Sequence, residues 1–277
     1  MNTVLDVADR VWVTRSTVGR TPPSTHRDDL RRAALLPEWR AAEFLAGRGL
    51  LRQLAAAVHP AAAGAAITAD GRGKPLVAGL PEVGVSVSHS GGAVAAGLAV
   101  GRALGVDLQQ PADSVSARFA RRILHGHADR VTALPPEQAA VEVAWVWTVQ
   151  EACVKAGGAG VAGRPWTIDV RPGARSGRWG AYRWISLRDR SDTPFSCAFS
   201  AHPAPPAPAA GGTGGSSGYG VSGGTSTCGG SGRTSSDDRS TGPALWAGGP
   251  RPVPASEPDP LPDTGTHAGT DTDKDRP

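Results

Sequence analysis

The sequence predicts a mixed α/β (α+β) protein of two similar-sized α/β halves, residues 1–102 and 103–202, followed by a disordered tail over 203–277. Three observations carry that expectation. Helix-length stretches with near-helical apolar spacing alternate with short runs of alternating apolar residues; the second hundred residues repeat the style of the first; and the composition changes abruptly at about Pro203. A body of about 200 residues can bury a sizeable core without disulfides or a structural metal.

A short strand is expected from Val11 to Thr14, followed by a polar turn through Pro22 and Pro23. From Glu38 to Val58, Phe44, Leu45, Leu51, Leu54 and Val58 recur at helical spacing, with Arg40, Arg48 and Arg52 on the remaining surface. His59-Pro60 closes this helix. After the turn-rich GRGKPLV loop, Val83, Val85 and Val87 alternate with Gly84, Ser86 and Ser88, the period of a half-buried strand that runs into Ser88-His89-Ser90. Gly91-Gly92 turns the chain into a strand from Ala93 to Val100, and a further strand follows from Leu104 to Leu108. The second half adds a basic helix over Arg118 to Leu124 and a long helix from Gln138 to Ala156. Strands are expected near Trp166 to Val170, Gly180 to Leu187 and Phe195 to Ala201. No close sequence repeat links the halves. From Pro203 onward the chain is rich in Pro, Ala, Gly, Ser, Thr and Asp, with too little apolar surface to offset the entropy of ordering it.

Composition narrows the function classes. Cys153, Cys197 and Cys228 are too few and too scattered for a disulfide framework or a zinc site, which fits a reducing, cytoplasmic setting. The first residues lack the apolar run of a signal peptide, and no stretch approaches the roughly 18 apolar residues of a membrane span, so no membrane association is expected. Before Pro203 the chain has 24 basic and 17 acidic residues, a balance that favours polyanionic partners. With aromatics at 5% and basic residues dispersed, a nucleic-acid binder is disfavoured.

Four segments hold residues with chemical potential. In Leu104-Gly-Val-Asp-Leu-Gln109, residues two apart share a strand face, so Asp107 and Gln109 project together from an apolar strand. An acid there needs a partner, and a simple ion pair or loop cap is one reading. In VEVAWVWTVQEACVKAGG, Trp147, Glu151 and Lys155 are four apart on one helix face, at the edge of the apolar arc formed by Val143, Val146, Cys153 and Val154. That is a place for a cleft, or for an ordinary exposed Glu–Lys pair. Ser88-His89-Ser90 at a strand end offers hydroxyl and imidazole donors to a phosphate, or to a local turn. It lacks the Gly-x-Ser-x-Gly elbow of a serine hydrolase. Lys74 stands in a glycine loop too short for a Walker loop, and Cys153, on the apolar arc, reads as a core residue.

Taken in order, GRGKP, VSVSHS, LGVDLQ and WTVQEACVKAGGAG resemble the surfactin-type (Sfp-like) 4'-phosphopantetheinyl transferases across roughly residues 10–200. RPWTIDV is similar to sequences of the actinobacterial branch. The resemblance implies a monomer with two halves in pseudo-two-fold arrangement. It implies an enzyme that moves the phosphopantetheine arm of coenzyme A to a serine of an acyl or peptidyl carrier protein, releasing adenosine 3',5'-bisphosphate. By the same likeness Asp107 and Glu151 would hold Mg²⁺, with Gln109 a weak or water-mediated ligand, and Glu151 would take the serine proton directly or through water. Lys155 would act in catalysis and bind coenzyme A phosphates, as would Arg48, Lys74, Ser88 and His89. Two positions depart from the family pattern: Gln109 stands where many members have Glu, and Gln150 where Lys precedes the catalytic Glu. These departures keep open a non-catalytic relative that binds coenzyme A or carrier protein. The carrier pathway is not legible.

Overall fold

The computed structural model describes residues 2–202; the expected disordered tail, with Cys228, lies outside the described residues. In chain order the strands of the first half are β1 (Val4–Ala8), β2 (Val11–Thr17), β3 (Ile67–Ala69), β4 (Pro75–Val77), β5 (Val83–Ser90) and β6 (Ala93–Val100). Its helices are α1 (Arg27–Ala33), α2 (Glu38–Val58) and α3 (Pro60–Ala63). The second half contains β7 (Leu104–Leu108), α4 (Ala117–Leu124), α5 (Ala128–Thr132), α6 (Pro136–Ala156), β8 (Ser176–Trp179), β9 (Tyr182–Ser186) and β10 (Phe195–Ser200). The strands form two sheets, in the orders β1-β2-β6-β5-β4-β3 and β7-β10-β9-β8, and all pairings are antiparallel.

Each half packs one 21-residue helix, α2 or α6, on the outer face of its sheet, and the two sheets bury their inner faces on each other. The layers therefore run helix, sheet, sheet, helix, the mixed fold that the alternation of elements predicted. Strand alternation sorts the side chains. Val94, Ala96 and Leu98 of β6 join the core under α2, whereas Ala93, Ala95 and Ala99 face the second half with Val106, Phe195 and Cys197. Small side chains on that inner face let β7 approach closely.

The approach of β7 to α6 is tighter still. A Cβ on Gly105 would lie 2.1 Å from the Ala152 carbonyl oxygen and 2.4 Å from the Ala156 nitrogen, so only glycine fits where β7 crosses the last turns of α6. This contact fixes the height of Asp107, two residues on, against the C-terminal end of that helix.

Three expectations are corrected. Trp166 to Val170 is not a strand: Pro165–Thr167 forms a 3₁₀ turn, and Ile168 and Val170 enter the core as isolated apolar side chains. The side-chain amide of Gln150 serves the Ile168 carbonyl in place of a neighbouring strand. Arg48 and Arg52 do not lie on the exposed surface of α2. Their side chains are 12% exposed and converge on Asp29, a buried acid of α1 that also accepts a bond from the Ser24 hydroxyl at 2.6 Å. GRGKPLV is a loop only as far as Lys74, since Pro75 to Val77 pair as β4.

Replacing Gly105 with Ala is expected to cost about 3 kcal/mol or more, because the added methyl meets backbone that cannot swing aside. Urea unfolding measures it; a loss below about 1 kcal/mol would show that α6 can shift freely on β7.

Candidate active site

β7 is an edge strand, and its outward amides need partners other than a strand ladder. The serines of β5 supply them. Ser86 Oγ accepts from Val106 N–H at 3.0 Å, Ser88 Oγ from Leu108 N–H at 3.3 Å, and Ser90 Oγ from Gln110 N–H at 3.0 Å. The period of two in VSVSHS thus matches the period of two along β7. Sequence reasoning took this as a half-buried strand; the serine face in fact lies against the second half, with Ser86 4% and Ser88 5% exposed.

Ser88 does more than hold β7. Its hydroxyl donates to Asp107 Oδ1 at 2.8 Å and also receives Lys155 Nζ at 3.2 Å, so its one donor and two acceptor directions are all engaged inside the protein. Lys155 Nζ lies 2.6 Å from the same Asp107 oxygen. Lys155 therefore takes Asp107 as its ion-pair partner, and the exposed i,i+4 pairing with Glu151 is not formed among the described residues. Asp107 Oδ2 is buried and has no hydrogen-bond partner.

The electrostatics follow from this burial. Desolvation pushes the Asp107 carboxyl above the usual carboxylate range, opposed by Lys155, Ser88 and the Leu108 amide. Burial also works against the Lys155 ammonium, but the charges of Asp107 and Glu151 outweigh it and hold the lysine above its ordinary value. Burial, and then the Asp107 charge, raise the Glu151 carboxyl to about 7, with Lys155 pulling the other way. Two destabilised carboxylates, one with an orphan oxygen, form a donor set suited to a hard cation. Gln109, one residue beyond β7, donates its amide to the Gln110 carbonyl at 2.9 Å. Among the described residues no group of three or more His, Cys, Asp or Glu side chains gathers.

His89 points to the opposite face of β5 from Ser88, as strand alternation requires, and there meets α2. Arg40 Nη1 is 3.0 Å from His89 Nε2, and Glu43 Oε2 is 3.4 Å from His89 Nδ1. Because arginine only donates, Nε2 accepts and the proton resides on Nδ1, facing Glu43. Burial, with the charges of Arg40 and Lys155, pushes the imidazole down to about 4. A cavity of about 310 Å³ opens here, because β4 pairs with β5 only at Leu76↔Gly84 and leaves the later part of that edge uncovered. Arg40, Arg48, Arg72, Lys74, His89 and Lys155 line it. Burial lowers the Arg48 guanidinium, Asp29 opposes it, and Arg48 Nη1 is buried without a partner.

The sequence-selected residues thus fall into two adjoining groups. Asp107, Ser88 and Lys155 meet directly, with Glu151 one turn back on α6; Arg48, Lys74 and His89 line the cavity, and Lys155 touches both groups. Arg40, Glu43, Phe44 and Arg72 were not selected from sequence. Arg40, Phe44 and Arg48 share one helix face at four-residue spacing, a signal available beforehand. Gln150, one of the two departures from the family pattern, is fully buried and donates to the Ile123 and Ile168 carbonyls at 2.9 and 2.8 Å. Cys153 and Cys197 are buried free thiols pushed up to about 12 by burial. Among the described residues no helix is long and apolar enough to cross a membrane.

No curated protein matches the chain. The segment that contributes Asp107, Glu151 and Lys155, residues 103–205, matches the model of the 4'-phosphopantetheinyl transferase superfamily, a family of transferases that use coenzyme A as substrate.

Proposed function

We propose that the protein transfers the phosphopantetheine arm of coenzyme A to a serine of an acyl or peptidyl carrier protein, with adenosine 3',5'-bisphosphate as leaving group. The observation that carries this reading is the Asp107–Lys155–Ser88 cluster, with Glu151 one turn back on α6, joined through Lys155 to a cavity that Arg40, Arg48, Arg72, Lys74 and His89 also line. The family match supports phosphopantetheinyl transfer in general. In this reading the half over residues 1–102 binds the coenzyme A phosphates and the half over 103–202 supplies the carboxylates.

Asp107, through its free Oδ2, and Glu151 would hold Mg²⁺, with Gln109 contributing at most through water. Bound there, the ion would supply Lewis-acid polarisation of the phosphoryl group and charge neutralisation at the leaving phosphate. Arg40, Arg48 and Lys155 offset phosphate charge in the cavity, and His89 Nε2, which accepts from Arg40, orients that guanidinium. Ser88, fully engaged inside the protein, orients Asp107 rather than the substrate. As the carrier serine Oγ forms its bond to phosphorus and the P–O bond to the adenosine bisphosphate breaks, Glu151 accepts the serine proton; a carboxylate near 7 suits that task. The rest of catalysis is positioning and charge stabilisation. An acidic carrier surface complements the basic body.

Intact-mass measurement of an apo carrier protein incubated with the enzyme, coenzyme A and Mg²⁺ is expected to show a gain of one phosphopantetheine. Glu151→Gln should lower the rate by about 100-fold or more. Coenzyme A binding without transfer to any of several carriers would favour a non-catalytic relative.

A second expectation concerns pH. Glu151 carries its proton below about 7 and must release it to act as ligand or base. The Mg²⁺ concentration giving half-maximal rate should fall up to about tenfold per unit as pH rises toward 7 and level off above it. An apparent Mg²⁺ affinity independent of pH from 5.5 to about 8 would remove Glu151 from the metal site.

A further inference from the structure

Helix α6 ends in a complete C-terminal cap. The Ala159 amide donates to the Val154 carbonyl at 3.1 Å and the Gly158 amide to the Lys155 carbonyl at 3.1 Å, with Gly158 at φ +71. This is a Schellman arrangement, and the left-handed position is open to glycine without strain. The Gly157 amide serves the Cys153 carbonyl at 3.0 Å. The motif leaves the carbonyl of Ala156 without a backbone donor, and a side chain from the other half of the protein fills that place. Lys74 Nζ donates to Ala156 O at 2.6 Å and to Lys155 O at 3.0 Å.

Lys74 is itself held. The Asp70 carboxylate accepts from the Lys74 and Arg72 amides at 2.9 and 2.8 Å, which sets the loop between β3 and β4. The aliphatic stem passes Gly158, where a Cβ would lie 3.4 Å from Lys74 Cδ. Two of the three ammonium protons are thus committed to carbonyls at the negative end of α6, a favourable place for a cation.

We propose that Lys74 is a positioning residue that clamps the C-terminal turn of α6 to the first half of the protein and so holds Lys155 and Glu151 at their reacting positions. This rests on the transferase reading above, and it assigns Lys74 a different task from the phosphate contact expected from sequence. A phosphate ligand would weaken coenzyme A binding when removed. A clamp on the helix that carries Glu151 and Lys155 should instead slow the chemical step, because displacements of about 1 Å at a reacting group cost on the order of 100-fold in rate.

The test is Lys74→Met in the full chain, which keeps the apolar stem and removes the donors, with Lys74→Arg alongside. The readouts are kcat, KM for coenzyme A on an apo peptidyl carrier domain, and hydrogen exchange at the Gly157, Gly158 and Ala159 amides. Lys74→Met is expected to lower kcat by roughly 10- to 100-fold, leave KM for coenzyme A within about twofold, and speed exchange at those three amides. Lys74→Arg, which can still reach two carbonyls, should restore most of both properties. A rise in KM with kcat and exchange unchanged would overturn the clamp and make Lys74 a phosphate ligand. If the unmutated chain modifies no carrier, the transferase reading fails by itself. The exchange rates then still decide the clamp, since unchanged protection in Lys74→Met would overturn it.

Discussion

The structure depends on how the free edge of β7 is satisfied. An edge strand buried between two halves must place its amides somewhere, and in this protein they go to serine hydroxyls of β5 rather than to another strand. Side-chain acceptors on every second residue of β5 meet donors on every second residue from Val106 of β7 to Gln110 just beyond it, at a constant offset of 20 positions. That lock brings Asp107 to Ser88 and sets Gly105 under α6. Asp107 can accept Lys155 only because both placements hold at once.

The alternation of one strand then divides the work of a three-residue motif. Ser88 faces the second half and completes the carboxylate cluster; His89 faces α2 and borders the cavity with Arg40 and Glu43. Lys155 lies where the two meet, bonded to Ser88 and Asp107 yet lining the cavity. The arrangement costs stability, since Asp107 and Glu151 are both held above their ordinary range by burial and Asp107 Oδ2 has no partner. Uncompensated charge of this kind is tolerated where a ligand offsets it, and in the proposed reaction a divalent cation would do so.

Much of this was readable because the signals are periodic. The valines of β5, the apolar stripe of α6 and the four-residue spacing of Trp147, Glu151 and Lys155 each follow from one repeat length. What sequence could not give is the identity of the layer that a polar face meets. Serines at period two look like a solvated strand face until a second sheet covers them, and Arg48 and Arg52 look like surface charges until Asp29 of α1 turns inward beneath them. Trp166 to Val170 has strand composition but no neighbouring edge to pair with, and β composition without a partner does not make a strand.

The two glutamines that depart from the family pattern differ in physical weight. Gln150 is fully buried and its amide serves two neutral carbonyls, of Ile123 and Ile168. A lysine ammonium confined there would face carbonyls alone, so a neutral amide suits this interior better than the charge it replaces. The substitution thereby belongs to the packing of α6 against the segment around Ile168. Gln109 is different, because it lies at the end of the strand that carries Asp107 and its amide turns to the adjacent Gln110 carbonyl. Without a carboxylate there, the negative charge of the site rests on Asp107 and Glu151, and Lys155 already neutralises part of it. A site so balanced would bind a cation less tightly when empty of phosphate. In the proposed reaction the phosphates of coenzyme A would supply the missing anionic oxygens, so metal and substrate should favour each other's binding more strongly than in a site with three carboxylates.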